Sequence, residues 1–454
     1  MNDRTRSAPF GRDRTVLSDG AMLRQQHCAC GRRDEDVRLV KRLEIMAIAT
    51  LALTGLKAHG QERAASDDPS RVPVAERPRP EFEPAGVRLG AVLFYPKLLA
   101  GLRYDSNVYA TEVDPQSDIA AVVSPQLIAR YDSSRLAWEA DVGADVFRFR
   151  RFTGENRVDA HARFRAQSEF APDLKFETVL EAARRHELRG ESSTPIDAAT
   201  PVPYNDLRAE AAITKLFNRL GLTAGVKVRN LTYEDVDSFD GTLLDQTWRD
   251  GTIVTGTLKP FYEVAPGYRV YGRIAVNNRD YKGTGEENRD SDGYDLRGGV
   301  EFGLTPLISG NVEFGYLSQS YVNPQIDTVD GFAMSGKLVW LATGLTTVTA
   351  FADRFVSETT TPGVSARLDT TFGLKVDHEL LRNLVLTAGA KFQKEDFVGS
   401  TRKDDVTKLT VGADYLPNPY AKLGVRYDYV QRDSTDFIYS FDRHVVMFNA
   451  TAQY

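Results

Sequence analysis

The chain has 454 residues, 42% of them apolar and 10% aromatic, and a formal net charge of −6. This composition excludes a disordered or low-complexity polymer, and the acidic balance leaves no electrostatic footprint for nucleic acid. The two cysteines, Cys28 and Cys30, both precede residue 60, so no disulfide framework, zinc ribbon or thiol nucleophile is available to the rest.

At the N-terminal end, Arg38, Lys41 and Arg42 precede an apolar run over residues 45–56, and Ala58-His59-Gly60 follows it. That order is the n-region, h-region and small-residue cleavage site of a secretory signal peptide, with the mature chain starting at Gln61. A spanning helix needs about 20 apolar residues, so the run is too short to cross a membrane. Residues 1–37 are too long for an n-region and point to translation starting at Met22 or at a non-Met codon such as Val37. His27, Cys28 and Cys30 supply only three ligands within this discarded stretch and are read as no metal site. Residues 1–60 are therefore expected to be an extension and signal removed on export. They hold 11 basic and 7 acidic residues, which leaves 46 basic and 56 acidic in the remainder, a net charge of −10.

Residues 61–86 carry Pro69, Pro73, Pro78, Pro80 and Pro84 among charges. With φ fixed, donors removed and few apolar side chains to bury, this stretch reads as an extended, mobile periplasmic arm.

From residue 87 to Tyr454 the hydrophobic period is two, the signature of strands. Leu220, Leu222, Ala224, Val226 and Val228 alternate with Gly221, Thr223, Gly225 and Lys227. Leu384, Leu386, Ala388, Ala390 and Phe392 alternate with Val385, Thr387, Gly389, Lys391 and Gln393. The connections choose the environment. Short turns fall near residues 132–135, 171–173, 217–219, 265–267, 305–309, 342–345, 381–383 and 416–419. Polar longer loops, one of them brief, fall near 105–117, 152–156, 187–206, 234–249, 282–293, 322–331, 358–367, 398–405 and 433–442. Tight turns on one rim and long loops on the other belong to an outer-membrane barrel. The fold expected is all-β, a transmembrane antiparallel up-and-down β-barrel of about 18 strands, with 16 as the alternative should residues 87–100 form a broken strand or plug-like lead-in. A closed sheet satisfies every ladder group, as hydrocarbon demands.

The last strand sets Val446, Phe448, Ala450, Ala452 and Tyr454 on one face, with the aromatic at the chain's end. The pattern resembles the targeting strand that the barrel-assembly machinery recognises in outer-membrane proteins.

The barrel opens with Tyr104-Asp105-Ser106-Asn107-Val108-Tyr109, then Asp118 and Val123-Ser124-Pro125. This opening resembles the putative beta-barrel porin-2 family of Gram-negative bacteria, over residues 87–454. The resemblance implies an outer-membrane barrel, and relatives associated with exopolysaccharide export. Read by themselves, Asp105 and Asn107 are turn residues with local Asx bonding.

With lipid on the apolar face, the candidate lumen-lining residues are Arg163, Arg165, Lys175, Lys227, Arg229, Arg269, Arg273, Lys391, Arg426, Asp141, Asp145 and Asp428. They either set the ion preference of an aqueous path or brace the wall as cross-strand pairs. The arginines favour anionic solutes, while the plentiful carboxylates leave selectivity open. No GxSxG, HExxH or phosphate-cradling loop occurs, so no catalytic, metal or cofactor site is expected. The function expected is a passive porin-like channel. The alternatives are an exopolysaccharide conduit and an adhesive barrel with ligand-binding loops. The two longest loops, 187–206 and 234–249, are candidates to fold inward. The partners expected are outer-membrane lipid, the assembly machinery, and polysaccharide or small solutes.

Overall fold

A computed structural model describes residues 71–357, 359, 364 and 366–454. The signal peptide expected within residues 1–60 lies outside the described residues. Eighteen antiparallel strands make one closed barrel. In chain order they are β1 Val92–Asp105, β2 Asp118–Asp132, β3 Leu136–Phe149, β4 Arg157–Ala171, β5 Leu174–His186, β6 Pro203–Phe217, β7 Leu220–Tyr233, β8 Gly251–Ala265 and β9 Tyr268–Tyr281. The circuit continues through β10 Ser291–Thr305, β11 Ile308–Tyr321, β12 Val329–Thr343, β13 Thr346–Ser357, β14 Ala366–Leu381, β15 Leu384–Val398, β16 Lys403–Asn418, β17 Ala421–Ser434 and β18 Phe441–Gln453. The count is eighteen, and every connection expected from the sequence is present, short turns and long loops alternating. Strand β1 closes the circuit by pairing with β18 from Lys97↔Gln453 to Asp105↔Val445. Among the described residues no helix is long and apolar enough to span a membrane; the crossing is made by strands.

Residues 87–100 contain both a short strand and a barrel strand. Val87–Leu89 turns back onto Val92–Phe94, below the point where Tyr454 N–H donates to the Pro96 carbonyl at 3.1 Å. The C-terminal strand ends there, so the short strand covers the edge that β1 would otherwise expose.

One face of the sheet is apolar and bare: Leu102 is 58% exposed, Val142 55%, Val411 58% and Phe448 60%. A wall of such residues is intolerable in water and suits hydrocarbon. Stacked rings gird the short-turn end, Tyr131–Trp138 at 6.0 Å and Tyr420–Tyr454 at 5.8 Å. A tilted pair marks the long-loop side, Tyr294–Tyr316 at 6.5 Å. Aromatic rings sit at membrane interfaces because one end is apolar and the other tolerates water.

The opposite face is polar and inward. Where two inward residues would leave a gap, a ring fills it: Phe261 lies over Gly221 and Phe351 over Gly373, each so close that a Cβ built on the glycine would stand 2.1 Å from the ring.

Of the Pro-rich arm, expected to be extended and mobile, residues 71–86 are described; they carry a 3-10 turn at Val74–Glu76 and do not trail free. Val74 is fully buried, and its N–H donates to Thr347 Oγ1 at 2.9 Å. Arg77 pairs with Glu379 on β14 at 2.7 Å, Arg79 reaches the same carboxylate at 3.4 Å, and Arg382 donates to the Pro78 carbonyl at 2.8 Å. The chain then runs to β1, so the segment passes beneath the short-turn mouth. A buried carboxylate serving two buried guanidinia is the physical reason. Glu379→Gln removes the charge and leaves both arginines uncompensated. Breaking such a pair costs about 3–5 kcal/mol, enough to release the arm. Proteinase K should then cleave residues 71–86 in the folded variant and spare them in the wild type.

Candidate functional site: a charged lumen crossed by an inward loop

The inward faces of adjacent strands bring acid and base opposite each other, because register pairs every second residue on one side of the sheet. On β4–β7, Arg163 donates to Glu181 at 3.0 Å, Arg229 makes two bonds to Asp206 at 2.9 and 3.0 Å, and Lys227 stands 3.4 Å from Glu210. Lys175 meets Glu169 at 2.7 Å. On β8–β11, Arg269 lies 3.8 Å from Glu301, while Arg273 reaches Glu313 at 3.0 Å and Asp295 at 3.4 Å. On β16–β17, Arg426 donates to Asp428 at 2.8 Å, and Thr410 donates to the same carboxylate at 2.6 Å. Asp141 accepts from Gln126 at 2.8 Å and faces His161 at 3.4 Å, and Asp145 accepts from Ser124. Arg165 and Lys391 have no ion pair among the described residues; the Arg165 Nε is sealed from solvent without an acceptor. All twelve positions singled out in the sequence thus lie on this face, ten of them already engaged by a neighbour.

Other residues of the site were not singled out. Loop 187–202, between β5 and β6, folds into the barrel. Its base is stapled by buried pairs, Arg189 to Glu155 at 2.7 Å and Arg249 to Glu187. Burial works against the Arg249 charge, but Glu187 more than restores it, holding the guanidinium above its ordinary value. The middle of the loop reaches the far wall: Ser192 Oγ donates to Glu395 on β15 and accepts from Arg432 on β17 at 2.6 Å. Arg432 also binds Asp404 at 2.8 Å. The return leg packs on loop 234–250, where Ala198, Val202 and Val236 form a small buried core. Of the two long loops named from the sequence, 187–206 turns inward and 234–249 packs against it.

Gly190 makes the crossing possible. Its φ is +82°, and a Cβ there would stand 2.6 Å from the Phe441 ring and 2.9 Å from the Ala110 Cβ. A β-branched residue would meet both that clash and left-handed strain, about 1–3 kcal/mol for the backbone alone. Gly190→Val is expected to loosen the loop and add open-channel current noise that wild-type barrels lack.

The opening motif gains a structural role beyond its turn. Asp105 accepts the Asn107 N–H at 3.2 Å, the local Asx bond expected. The same carboxylate, fully buried, takes Arg443 of β18 at 2.9 Å through Nε and Arg103 at 3.0 Å. Ser106 exchanges bonds with the His444 backbone at 2.9 and 2.8 Å. Asn107 Nδ2 donates to the Asp442 carbonyl at 2.9 Å. The motif clasps the first strand to the last. Only pairing of residues 338 apart reveals this; no local pattern carries it.

The fold resembles solved outer-membrane proteins. Pseudomonas aeruginosa OpdK, crystallised with vanillate, is 9% identical, with 80% of this chain and 99% of that chain covered and a TM-score of 0.42. P. aeruginosa OccK8 (OprE) is 8% identical, with coverages of 82% and 100% and a TM-score of 0.42. The siderophore receptor PiuA of Acinetobacter baumannii is 9% identical, with coverages of 81% and 82% and a TM-score of 0.42. No curated protein matches the chain in sequence. The profile of the family described as Putative beta-barrel porin 2 matches residues 79–454, from the docked arm to the final tyrosine. The chain belongs to that family and is a porin-like β-barrel channel of the Gram-negative outer membrane.

Proposed function

We propose that this channel passes small hydrated solutes with weak charge preference and excludes polymer. The crossing of loop 187–202 to Glu395 and Arg432 carries the reading, because a strap pinned on both walls divides the bore that an extended polymer would have to thread. The near-balance of inward charge supports weak preference. Fields from paired ladders cancel, and selectivity needs rings of one sign. The arginine-rich stretch that favoured anions in the sequence is largely neutralised by Glu181, Asp206, Glu313 and their neighbours. We assign no catalysis. The lumen histidines face aspartates, His186 to Asp159 at 2.8 Å and His161 to Asp141 at 3.4 Å, pairs that brace the wall. We also propose that Val446, Phe448, Ala450, Ala452 and Tyr454, all on the lipid face, are what the assembly machinery reads.

Refolded barrels in planar bilayers under a potassium chloride gradient should give a reversal potential near that of free-solution ion mobilities. Liposomes should swell quickly in disaccharide and not in long oligosaccharide. A strong anion preference, or polymer uptake with the loop intact, would overturn the proposal.

A further inference from the structure

An arginine on the lipid face needs an account. Arg354 of β13 points outward: its register partner on β12 is Met334, and the alternate position Asp353 takes the inward bond from Ser335. Its Nε is sealed from solvent without an acceptor, and the side chain has no ion pair among the described residues. Charged side chains on the lipid face cost about 2–4 kcal/mol at the midplane and about 0–1 near an interface. Arg354 sits three residues from the long-loop end of its strand, which places it at the outer-leaflet interface.

Its neighbours form a pattern. Across the sheet, Arg354 is opposite Thr370, and Thr370 is opposite Lys394. Lys394 has one weak ion-pair partner, Asp405 at 3.9 Å, with both side chains more than half exposed, and its ammonium stands 5.7 Å from the Phe392 ring. The two cations therefore stand two strands apart, roughly 10 Å between backbones, with a hydroxyl between them. One step toward the midplane, the same row becomes Ala352, Phe372 and Phe392. There an apolar cleft of about 550 Å³ opens on the outer wall, floored by Gly336, Ala350 and Ala390 between larger rings. It spans β11 to β16, six strands at about 4.8 Å spacing, so it is roughly 24 Å wide.

We propose that this is a binding site for a phosphorylated, multiply acylated glycolipid of the outer leaflet, the lipid A type. A phosphate seated between Arg354 and Lys394 gives the guanidinium the acceptor it lacks, and several acyl chains side by side fill a cleft too broad for one. Snorkelling of Arg354 to water explains neither the second cation in the same row nor the broad floor beneath it. The inference rests on the outer-membrane location of the barrel and not on its conductance.

The test is native mass spectrometry of the refolded barrel in detergent, titrated with bisphosphorylated lipid A, its dephosphorylated form and phosphatidylglycerol. The wild type should retain bisphosphorylated lipid A over the other two. Arg354→Gln with Lys394→Gln should bind it about tenfold more weakly, the worth of about one charged hydrogen bond, and Arg354→Lys should hold most of the affinity. Ala350→Phe, which fills the floor and leaves both charges, should also weaken binding. Arg184→Gln, which removes an outward arginine paired with Glu234 elsewhere on the wall, should bind as the wild type does. Heat-modifiable gel migration confirms that each variant is folded. Equal binding of the dephosphorylated lipid, equal competition by phosphatidylglycerol, or unchanged binding by the double variant overturns the proposal. A barrel silent in bilayers yet selective for bisphosphorylated lipid A would overturn the channel reading and leave this one standing.

Discussion

Excising residues 191–196 and joining Gly190 to Ser-Gly ahead of residue 197 is expected to raise single-channel conductance severalfold. The deletion removes the span between the two walls and spares its anchors. Arg189 keeps its pair with Glu155, and Ala198 keeps its place against Val202 and Val236. On the far wall Arg432 loses Ser192 and retains Glu395 at 3.3 Å and Asp404 at 2.8 Å, so no charge is left buried alone. The barrel should therefore fold with wild-type stability while its bore widens, and liposomes should begin to swell in the oligosaccharide that the wild type excludes. An unchanged conductance would show that the strap is not what limits the bore. The converse substitution, Arg432→Ala, leaves Glu395 and Asp404 close together without their shared cation. It should disturb loop and wall together and is the poorer probe.

Asp105→Ala is expected to cost the barrel about 3–5 kcal/mol, the usual consequence of leaving buried charge unpaired. Arg443 and Arg103 both lose their partner at the seam, the one joint in the barrel that links strands from opposite ends of the chain. Asp105→Asn keeps an acceptor and should lose less. Guanidinium unfolding in detergent, followed by tryptophan fluorescence, reads the difference. An Asp105→Ala midpoint equal to wild type would remove the seam role assigned here. Because the seam joins the two ends of the chain, the same variant should also accumulate more of the heat-sensitive, unclosed species on refolding.

How the two kinds of contact are encoded explains what was legible beforehand. Strand number was readable because each crossing needs about ten residues and each rim imposes its own connection length. Facing was readable because a period of two is local: Lys227 and Val226 must point opposite ways wherever β7 lies. The twelve charged positions followed from that alternation. Their partners did not, since Arg229 meets Asp206 only through the register of β6 with β7. Arg354 escaped notice because it breaks the alternation, a cation where an apolar residue belongs.

The amino-acid pattern alone pointed to an outer-membrane barrel of about eighteen strands, with sixteen left open, and to which side of each strand meets oil. Hydrophobic periodicity acts between neighbours two residues apart and needs no knowledge of the rest. Tertiary structure alone decided that Ser192 reaches across to Glu395, that Glu379 holds the arm through Arg77, and that Asp105 clasps the final strand. These contacts join residues 203, 302 and 338 positions apart. No local pattern marks them, and they form only once the closed wall brings distant side chains to one place, with burial making their pairing obligatory.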